Sequence, residues 1–100
     1  MFELQQTEVF RAFVERLSDD IAAAAIAARL LRLARGNWGD CKPIAGGVVE
    51  LRIHHGPGYR IYCKRSGKVV IVLLCAGTKS TQKVDIKQAL ILVAELEKKK

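Results

Sequence analysis

Residues 48–75, VVELRIHHGPGYRIYCKRSGKVVIVLLC, contain three strand-like runs that are separated by two turns. Apolar and polar residues alternate in the first two runs, which is typical of strands with one buried face. Residues 55–58 and 65–68 are rich in the residues that tight turns require. The third run, residues 69–74, has no polar face and therefore predicts a strand at the centre of the sheet, covered on both sides.

The residues before this stretch predict a short strand at residues 2–5 and then two helices. Thr7 can cap the first helix, and the acidic, polar residues 18–20 end it and offer caps for the second. Gly36 follows the second helix at a position that suits a left-handed C-terminal cap. Because the link between the helices is short, we expect them to form an antiparallel hairpin.

The remaining segments complete the expected order of strand, helix, helix, three antiparallel strands and helix. Residues 37–43 predict a loop, in which Trp38 is expected to pack against the core. Ser80 or Thr81 can cap the last helix. The sequence therefore predicts one α+β domain over residues 1–100, in which an N-terminal helical hairpin and a C-terminal helix pack on a small antiparallel sheet. We expect the helices to lie on one side of that sheet.

The composition suits a small cytoplasmic protein with a polyanionic partner. Half of the 100 residues are hydrophobic, and the net charge is +7 with an isoelectric point of about 9.7. Such a charge favours a polyanionic partner, which is nucleic acid, the ribosome, an anionic membrane surface or an acidic protein. No apolar segment is long enough to span a membrane, and the N-terminus does not resemble a signal peptide. We therefore expect no membrane partner.

The three cysteines indicate a reducing compartment. They are widely spaced and form no C-x-x-C pair, so neither a disulfide framework nor a zinc site is expected. Cys63 and Cys75 lie in strand-like runs and are expected to act as small hydrophobic residues.

A cluster of cations on the strands is the best candidate for a functional site. Arg52 and Arg60 lie on consecutive strands, Lys64 lies further along the second strand, and Lys79 follows the third. Together they can bind phosphates, the arginines through bidentate hydrogen bonds and the lysines as point charges. The alternative is that these cations simply face water.

The second helix carries another set of cations. Arg29, Arg32 and Arg35 recur every three residues along one stripe. This stripe is either a solvated helix face, which we favour, or a phosphate-binding surface.

Common enzyme motifs for phosphate loops, zinc proteases or serine hydrolases are absent from the sequence. The cations can nevertheless stabilise the charge that develops during RNA cleavage. That reaction also needs a general base and a general acid. The candidates are Glu50, His54, His55, Tyr59 and Tyr62. Since neighbours in a strand point to opposite faces, the two histidines are not expected to serve one site.

A series of short motifs runs in order from about residue 2 to residue 90. They are Arg29-Leu30 with Leu33, Gly36-Asn37, Gly39-Asp40, Lys42-Pro43, Glu50-Leu51-Arg52-Ile53, Gly56-Pro57-Gly58-Tyr59-Arg60 with Tyr62, Leu73-Leu74, Gly77 with Lys79, Gln82, and Asp85-Ile86 with Ala89. With these motifs the chain resembles the RelE/ParE superfamily of bacterial toxins. It looks most like the branch of addiction-module killer proteins that is related to HigB.

The resemblance implies the toxin of a type II toxin–antitoxin module, which a cognate antitoxin protein binds and silences. RelE-like members cut mRNA on the ribosome without a metal or another cofactor. Arg60 matches the strand arginine that handles the phosphate, Lys79 matches a basic residue after the last strand, and Arg52 lies where a basic strand residue is common. The implied catalytic residues are Arg60 and Lys79, and the implied RNA-phosphate ligands are Arg52, Arg60 and Lys64.

The chain departs from this family pattern near its C-terminus. RelE carries a tyrosine there that assists the chemistry, whereas the corresponding place here is close to Asp85, and no tyrosine follows Tyr62. HigB-like members often have a histidine in that region, but no histidine follows His55. Two alternatives therefore stay open. One is a ParE-like toxin without nuclease activity that inhibits DNA gyrase or another protein, and the other is a basic RNA-binding module without toxicity.

Overall fold

The structure is a computed structural model that describes residues 1–99, which form a five-stranded sheet and three α-helices. In chain order the elements are β1 Glu3–Gln6, α1 Glu8–Arg16, α2 Asp20–Ala34, β2 Cys41–Pro43, β3 Val48–Ile53, β4 Tyr59–Ser66, β5 Val70–Thr78, a short 3₁₀ helix Lys79–Thr81, and α3 Gln82–Lys98. This arrangement confirms the predicted α+β fold class. None of the described helices is long and apolar enough to cross a membrane.

The sheet has the strand order β1-β5-β4-β3-β2. Strands β3 to β5 pair antiparallel as predicted. Strand β2 adds an unpredicted antiparallel pairing with β3, and β1 pairs parallel with β5, so the sheet is mixed. Strand β5 lies inside the sheet, as expected from its apolar sequence, although β4 occupies the middle position. The sequence pattern therefore located the interior strands but not the direction of the first pairing.

The prediction of a loop over residues 37–43 was partly wrong. Residues Cys41–Pro43 form the edge strand β2, in which Cys41 pairs with Leu51 and Pro43 with Val49. Proline has no backbone N–H to donate. It is tolerated at a sheet edge, because the outward side of an edge strand has no neighbouring strand that would accept such a hydrogen bond. Trp38, which precedes this strand, packs against the core and lies edge-on to Phe2, as predicted.

The expectation that all helices lie on one side of the sheet was wrong. Helices α1 and α2 cover one face, where the core includes Phe10, Ile26 and Ile61. Helix α3 covers the opposite face, where Tyr62 and Ala89 are completely buried. Because β4 and β5 carry apolar side chains on both faces, each face needs a cover.

The helix starts follow the expected capping chemistry for α1 and α2. The Thr7 hydroxyl accepts a hydrogen bond from the Phe10 N–H (3.1 Å) and donates one to the Leu74 carbonyl (2.6 Å), which ties α1 to β5. The Asp19 carboxylate accepts hydrogen bonds from two N–H groups at the start of α2. Gly36 ends α2 with a φ of 93°, as a left-handed cap requires.

The start of α3 is built differently from the prediction. Thr81 occupies the N-cap position, but its hydroxyl donates to the Asp85 side chain and accepts from the Thr78 N–H instead of capping the helix. The two strand cysteines are buried as expected. Burial raises the pKa of the Cys63 thiol and that of the Cys75 thiol to about 12, so both stay protonated.

The arginine stripe on α2 is not a uniformly solvated face. Arg32 and Arg35 are exposed, but Arg29 is only 6% exposed. Its guanidinium donates to the carbonyls of Arg52 (2.5 Å), Trp38 (2.9 Å) and Asp40 (2.5 Å), where α2 meets the β2–β3 edge. The interpretation of the stripe was therefore wrong for Arg29, which bonds backbone carbonyls at the edge of the sheet and in the loop before it.

We predict that Arg29→Met lowers the free energy of unfolding by on the order of 3 kcal/mol, because three partly buried carbonyls each lose a hydrogen bond from a charged donor. Urea denaturation at neutral pH measures this change. The control Arg32→Met removes a cation from the exposed face of the same helix and should change the stability by less than about 0.5 kcal/mol. Equal stabilities for the two variants would contradict the structural role of Arg29.

Candidate functional site

Two arginines oppose each other across the β3–β4 pairing. Arg52 is the direct partner of Arg60, so both side chains lie on the sheet face on which α3 packs further along. Arg60 in turn pairs with Gly77 on β5. A Cβ atom at Gly77 would collide with the side chains of Asp85 and Thr81, which lie directly over this glycine. The glycine therefore allows the start of α3 to approach the sheet beside Arg60.

A buried carboxylate makes this pair of like charges tolerable. Glu50 is 0% exposed, and its Oε1 lies 3.1 Å from Arg52 Nε and 4.0 Å from Arg60 Nε. Its Oε2 accepts hydrogen bonds from the Tyr62 hydroxyl (3.1 Å) and from Gln82 Nε2 (2.7 Å). Without such a carboxylate, two directly opposed cations would destabilise the sheet.

These contacts also fix the charge of the carboxylate. Burial by itself raises the pKa of Glu50, but the hydrogen bonds from Gln82, Arg52 and Tyr62 outweigh it and lower the pKa below its ordinary value. Glu50 is therefore ionised at neutral pH and is held by four groups from β3, β4 and α3.

The Arg60 guanidinium retains unused hydrogen-bonding capacity. Its side chain is 9% exposed, and its Nε has no hydrogen-bond partner among residues 1–99. Its Nη1 makes only a long hydrogen bond, 3.4 Å, to the carbonyl of Tyr59. A nearly buried cation with free donors can bind an anion strongly, since little water competes for it.

Lys79 joins this group through a close approach of two chain segments. Its N–H donates to the Gly58 carbonyl (2.8 Å) at the start of β4. A Cβ atom at Gly58 would lie 3.6 Å from Lys79 Cβ and 3.7 Å from Arg60 Nη1. The structure therefore brings Arg52, Arg60 and Lys79 to one corner of the sheet, which we call the cationic corner.

Lys64 is not part of the cationic corner. It pairs with Val48 on β3 and Val72 on β5, four residues along β4 from Arg60, which corresponds to roughly 13 Å. It instead lines a separate cavity of about 280 Å³ near the end of α3, together with Gln5 and other residues.

Three of the five predicted acid–base candidates are committed to the structure. Glu50 is buried and bonded as described above. Tyr62 is 0% exposed, and burial together with the Glu50 charge raises the pKa of its hydroxyl. Tyr59 is a member of the core on the opposite face of the sheet, where it packs edge-on against Phe13. These three side chains are therefore engaged in core packing or in buried hydrogen bonds.

The two histidines have separate partners, as the alternation of side chains predicted. His54 Nε2 lies 2.6 Å from Asp40 Oδ2 at the end of β3. His55 Nε2 lies 3.2 Å from Asp19 Oδ2, at the start of α2. The sequence reasoning missed both aspartates, because pairings over 14 and 36 residues leave no periodic signal. It also missed the contact of Gln82 with Glu50, although Gln82 belongs to one of the motifs.

These side chains can bind an anionic ligand electrostatically. Among residues 1–99, no three His, Cys, Asp or Glu side chains come together as a metal site requires. The cationic corner presents three cations, against which Glu50 and the nearby Asp85 supply two carboxylates. This arrangement leaves an excess of positive charge that can bind a phosphate group.

We predict that Glu50→Gln lowers the free energy of unfolding by about 3 kcal/mol at neutral pH, because it leaves two neighbouring guanidiniums without their carboxylate. The folded state lowers the pKa of Glu50, so its stabilisation is complete above the ordinary pKa of about 4.5 and is lost as the pH falls through the lower folded value. Urea denaturation as a function of pH measures both effects.

The matched control is Glu8→Gln, which changes an exposed carboxylate at the start of α1 and should leave the stability nearly unchanged. A stability difference between the wild type and Glu50→Gln that did not shrink toward low pH would contradict the assignment of an ionised Glu50.

Comparison with known proteins places the chain in a family. It is 46% identical over 94 residues to an uncharacterized protein of Haemophilus influenzae, and the match covers 94% of this chain and 95% of that protein. Residues 8–98 match the family described as "Phage derived protein Gp49-like (DUF891)". That span includes Glu50, the cationic corner and both histidines. The chain therefore belongs to the Gp49-like family, a RelE-like family of addiction-module proteins.

Proposed function

We propose that this protein is the toxin of a bacterial type II toxin–antitoxin module and that it cleaves mRNA on the ribosome. Membership of the Gp49-like family supports the toxin part of the proposal. One observation supports action on RNA. Arg52 and Arg60 are held face to face around a buried carboxylate, and Arg60 keeps free donors in a nearly water-free position.

The chemistry of RNA cleavage suits such a site. When the 2′-oxygen attacks the phosphorus, negative charge grows on the phosphate oxygens, and fixed cations stabilise that charge. Arg60 is held by the sheet and by Glu50, so it needs little reorganisation during the reaction. Lys79 lies exposed beside it and can reach the leaving oxygen. In this proposal Arg60 and Lys79 are catalytic, and Arg52 binds a phosphate.

The proposed partners follow from the same features. The family supports a cognate antitoxin that binds the toxin and keeps it inactive. The net charge of +7 suits mRNA on the ribosome as the target, which would place the protein in the cytoplasm. The proposed reaction uses only protein side chains and requires no cofactor.

A second candidate function is a toxin that inhibits a protein, such as DNA gyrase, without cleaving RNA. The observation in its favour is that neither Glu50 nor Tyr62, the two candidates on the same sheet face as Arg60, is free to take a proton. The cationic corner would then bind acidic side chains of the target instead of RNA phosphates.

We predict that induction of the wild-type protein in a bacterial host arrests growth and produces new mRNA 5′ ends within translated codons. Arg60→Ala should lower the cleavage rate by about 100-fold or more, because it removes the main stabiliser of the phosphate charge. Mapping of 5′ ends after induction measures this. The control Lys68→Ala removes an exposed cation from the β4–β5 turn and should leave cleavage unchanged.

Antitoxin binding and circular dichroism of Arg60→Ala show whether that variant still folds. Growth arrest without new 5′ ends would reject the nuclease and favour the second candidate. A folded Arg60→Ala variant that cleaved like the wild type would remove Arg60 from the site. If the wild type did not arrest growth under any induction level, the toxin proposal itself would fail.

A further inference from the structure

A cavity lies where helix α2 meets the open edge of β3. The regular pairing of β2 with β3 ends at Leu51, and the Arg29 side chain bonds the next outward carbonyl, that of Arg52. The cavity at this point has a volume of about 340 Å³, and neither Arg60 nor Lys79 lines it. We call it the edge cavity, and its polar lining consists of Arg29, Arg32, Asn37, Asp40, Arg52 and His54.

Positive charge dominates the edge cavity. Three of its lining residues are arginines, whereas Asp40 is the one carboxylate among them. The hydrogen bond with His54 lowers the pKa of Asp40, and the charges of Arg52 and Arg29 lower that pKa further, so Asp40 is ionised. Its Oδ2 lies 2.6 Å from His54 Nε2 and is therefore already engaged. The cavity keeps an excess of positive charge, which suits an anionic ligand.

Three side chains of the edge cavity keep free hydrogen-bond donors. The Arg52 guanidinium donates one hydrogen bond within residues 1–99, from Nε to Glu50 (3.1 Å), so its two Nη groups stay open. Arg32 is exposed and forms no ion pair within the same residues. Asn37 accepts the Gly39 N–H through its Oδ1, which leaves its side-chain NH₂ group free to donate.

Arg29 supplies charge to the edge cavity rather than free donors. Its Nη groups donate to three backbone carbonyls, and its side chain is almost completely buried. A Cβ atom at Gly39 would lie 2.9 Å from the Arg29 Nε, so the backbone of this glycine packs directly against the guanidinium. A buried cation that is fixed in this way strengthens anion binding, because water and salt screen its charge less than that of an exposed cation.

Arg52 connects the edge cavity to the cationic corner. It lines the cavity, and on the sheet it directly opposes Arg60. A ligand that binds at both places must carry negative charges in series, as the backbone of RNA does at each nucleotide. Phosphate oxygens accept hydrogen bonds, which matches the free donors of Arg32, Arg52 and Asn37.

We propose that the edge cavity is a second phosphate subsite, which binds another backbone phosphate of the RNA strand whose scissile phosphate lies in the cationic corner. This inference rests on the action on RNA proposed above. Arg32 and Asn37 donate hydrogen bonds to the second phosphate, and Arg52 lies between the two phosphates. The subsite takes no part in the chemistry and fixes the position of the strand. Of the two exposed arginines in the α2 stripe, Arg32 contacts RNA and Arg35 does not.

Binding of a short 2′-O-methylated RNA oligonucleotide, which lacks the attacking hydroxyl, tests this proposal. Fluorescence anisotropy at several salt concentrations measures the affinity and its salt dependence. Arg32→Met should weaken binding about tenfold and reduce the slope of log affinity against log salt by about 0.7, because one phosphate contact is lost. The matched control Arg35→Met removes an exposed arginine at the end of α2, outside the cavity, and should change the affinity by less than about twofold.

A second variant should bind RNA more tightly, which a loss of folding cannot cause. Asp40→Asn removes the carboxylate of the edge cavity and keeps the shape of the side chain, so the affinity should rise about threefold. The matched control Asp20→Asn removes an exposed carboxylate in the first turn of α2 and should leave the affinity nearly unchanged.

Several results would overturn the second subsite. One is an equal affinity and salt slope for Arg32→Met and Arg35→Met, and another is an Asp40→Asn variant that binds no more tightly than Asp20→Asn. A wild type that does not bind the oligonucleotide at low salt would also overturn it. If Arg32→Met weakened antitoxin binding and left RNA binding unchanged, the edge cavity would belong to a protein interface and the proposal would be wrong.

The mapping of 5′ ends described above decides separately on the nuclease. New 5′ ends together with any of the overturning results would remove the subsite and leave the nuclease in place. The predicted binding effects without new 5′ ends would support the subsite and reject cleavage.

Discussion

The buried carboxylate of Glu50 is the interaction on which the cationic corner depends. It comes from β3, bonds Arg52 on its own strand, receives a hydrogen bond from Tyr62 on β4 and another from Gln82 at the start of α3. A single ionised group thus connects β3 and β4 to α3. Because such a group is costly to bury without partners, the sequence must supply all of them at once.

This constraint also determines what the site can do. The carboxylate lies close to Arg52 and further from Arg60, so Arg60 is oriented without being fully neutralised. In the proposed function, the affinity for a phosphate comes from this incomplete pairing in a place where water is scarce. The same burial engages Glu50 and Tyr62 in structural hydrogen bonds, so neither is free for the proton transfer that the proposed cleavage requires.

The sequence was most informative where one local pattern determined the outcome. Thr7, Asp19 and Gly36 end or begin helices through contacts within a few residues, and the alternation in β3 and β4 put Arg52 and Arg60 on one face. It failed where the outcome depends on distant segments. No local sequence pattern indicates that Arg29 is buried, because its acceptors belong to the sheet edge and the loop before it.

The same limit explains why Lys64 lies apart from the other cations and why the side of the sheet covered by α3 was not predicted. Lys64 has the alternation of a site residue, since it shares a face with Arg60, but its distance along the strand removes it from the corner. The face that α3 covers was also undetermined, because β5 is apolar on both sides and accepts a helix on either. In each case, the periodicity of a strand gives the face of a residue but not its neighbours on that face.

Asp85 has a structural task at the start of α3. Asp85 lies over Gly77, is almost completely buried, and accepts a hydrogen bond from Thr81 (2.5 Å), which in turn accepts one from the Thr78 N–H. Its carboxylate therefore anchors the first turn of α3 to the end of β5. A side chain with this task cannot also assist a reaction at the surface. Asp85 and Glu50 are thus both engaged in holding the cationic corner in place.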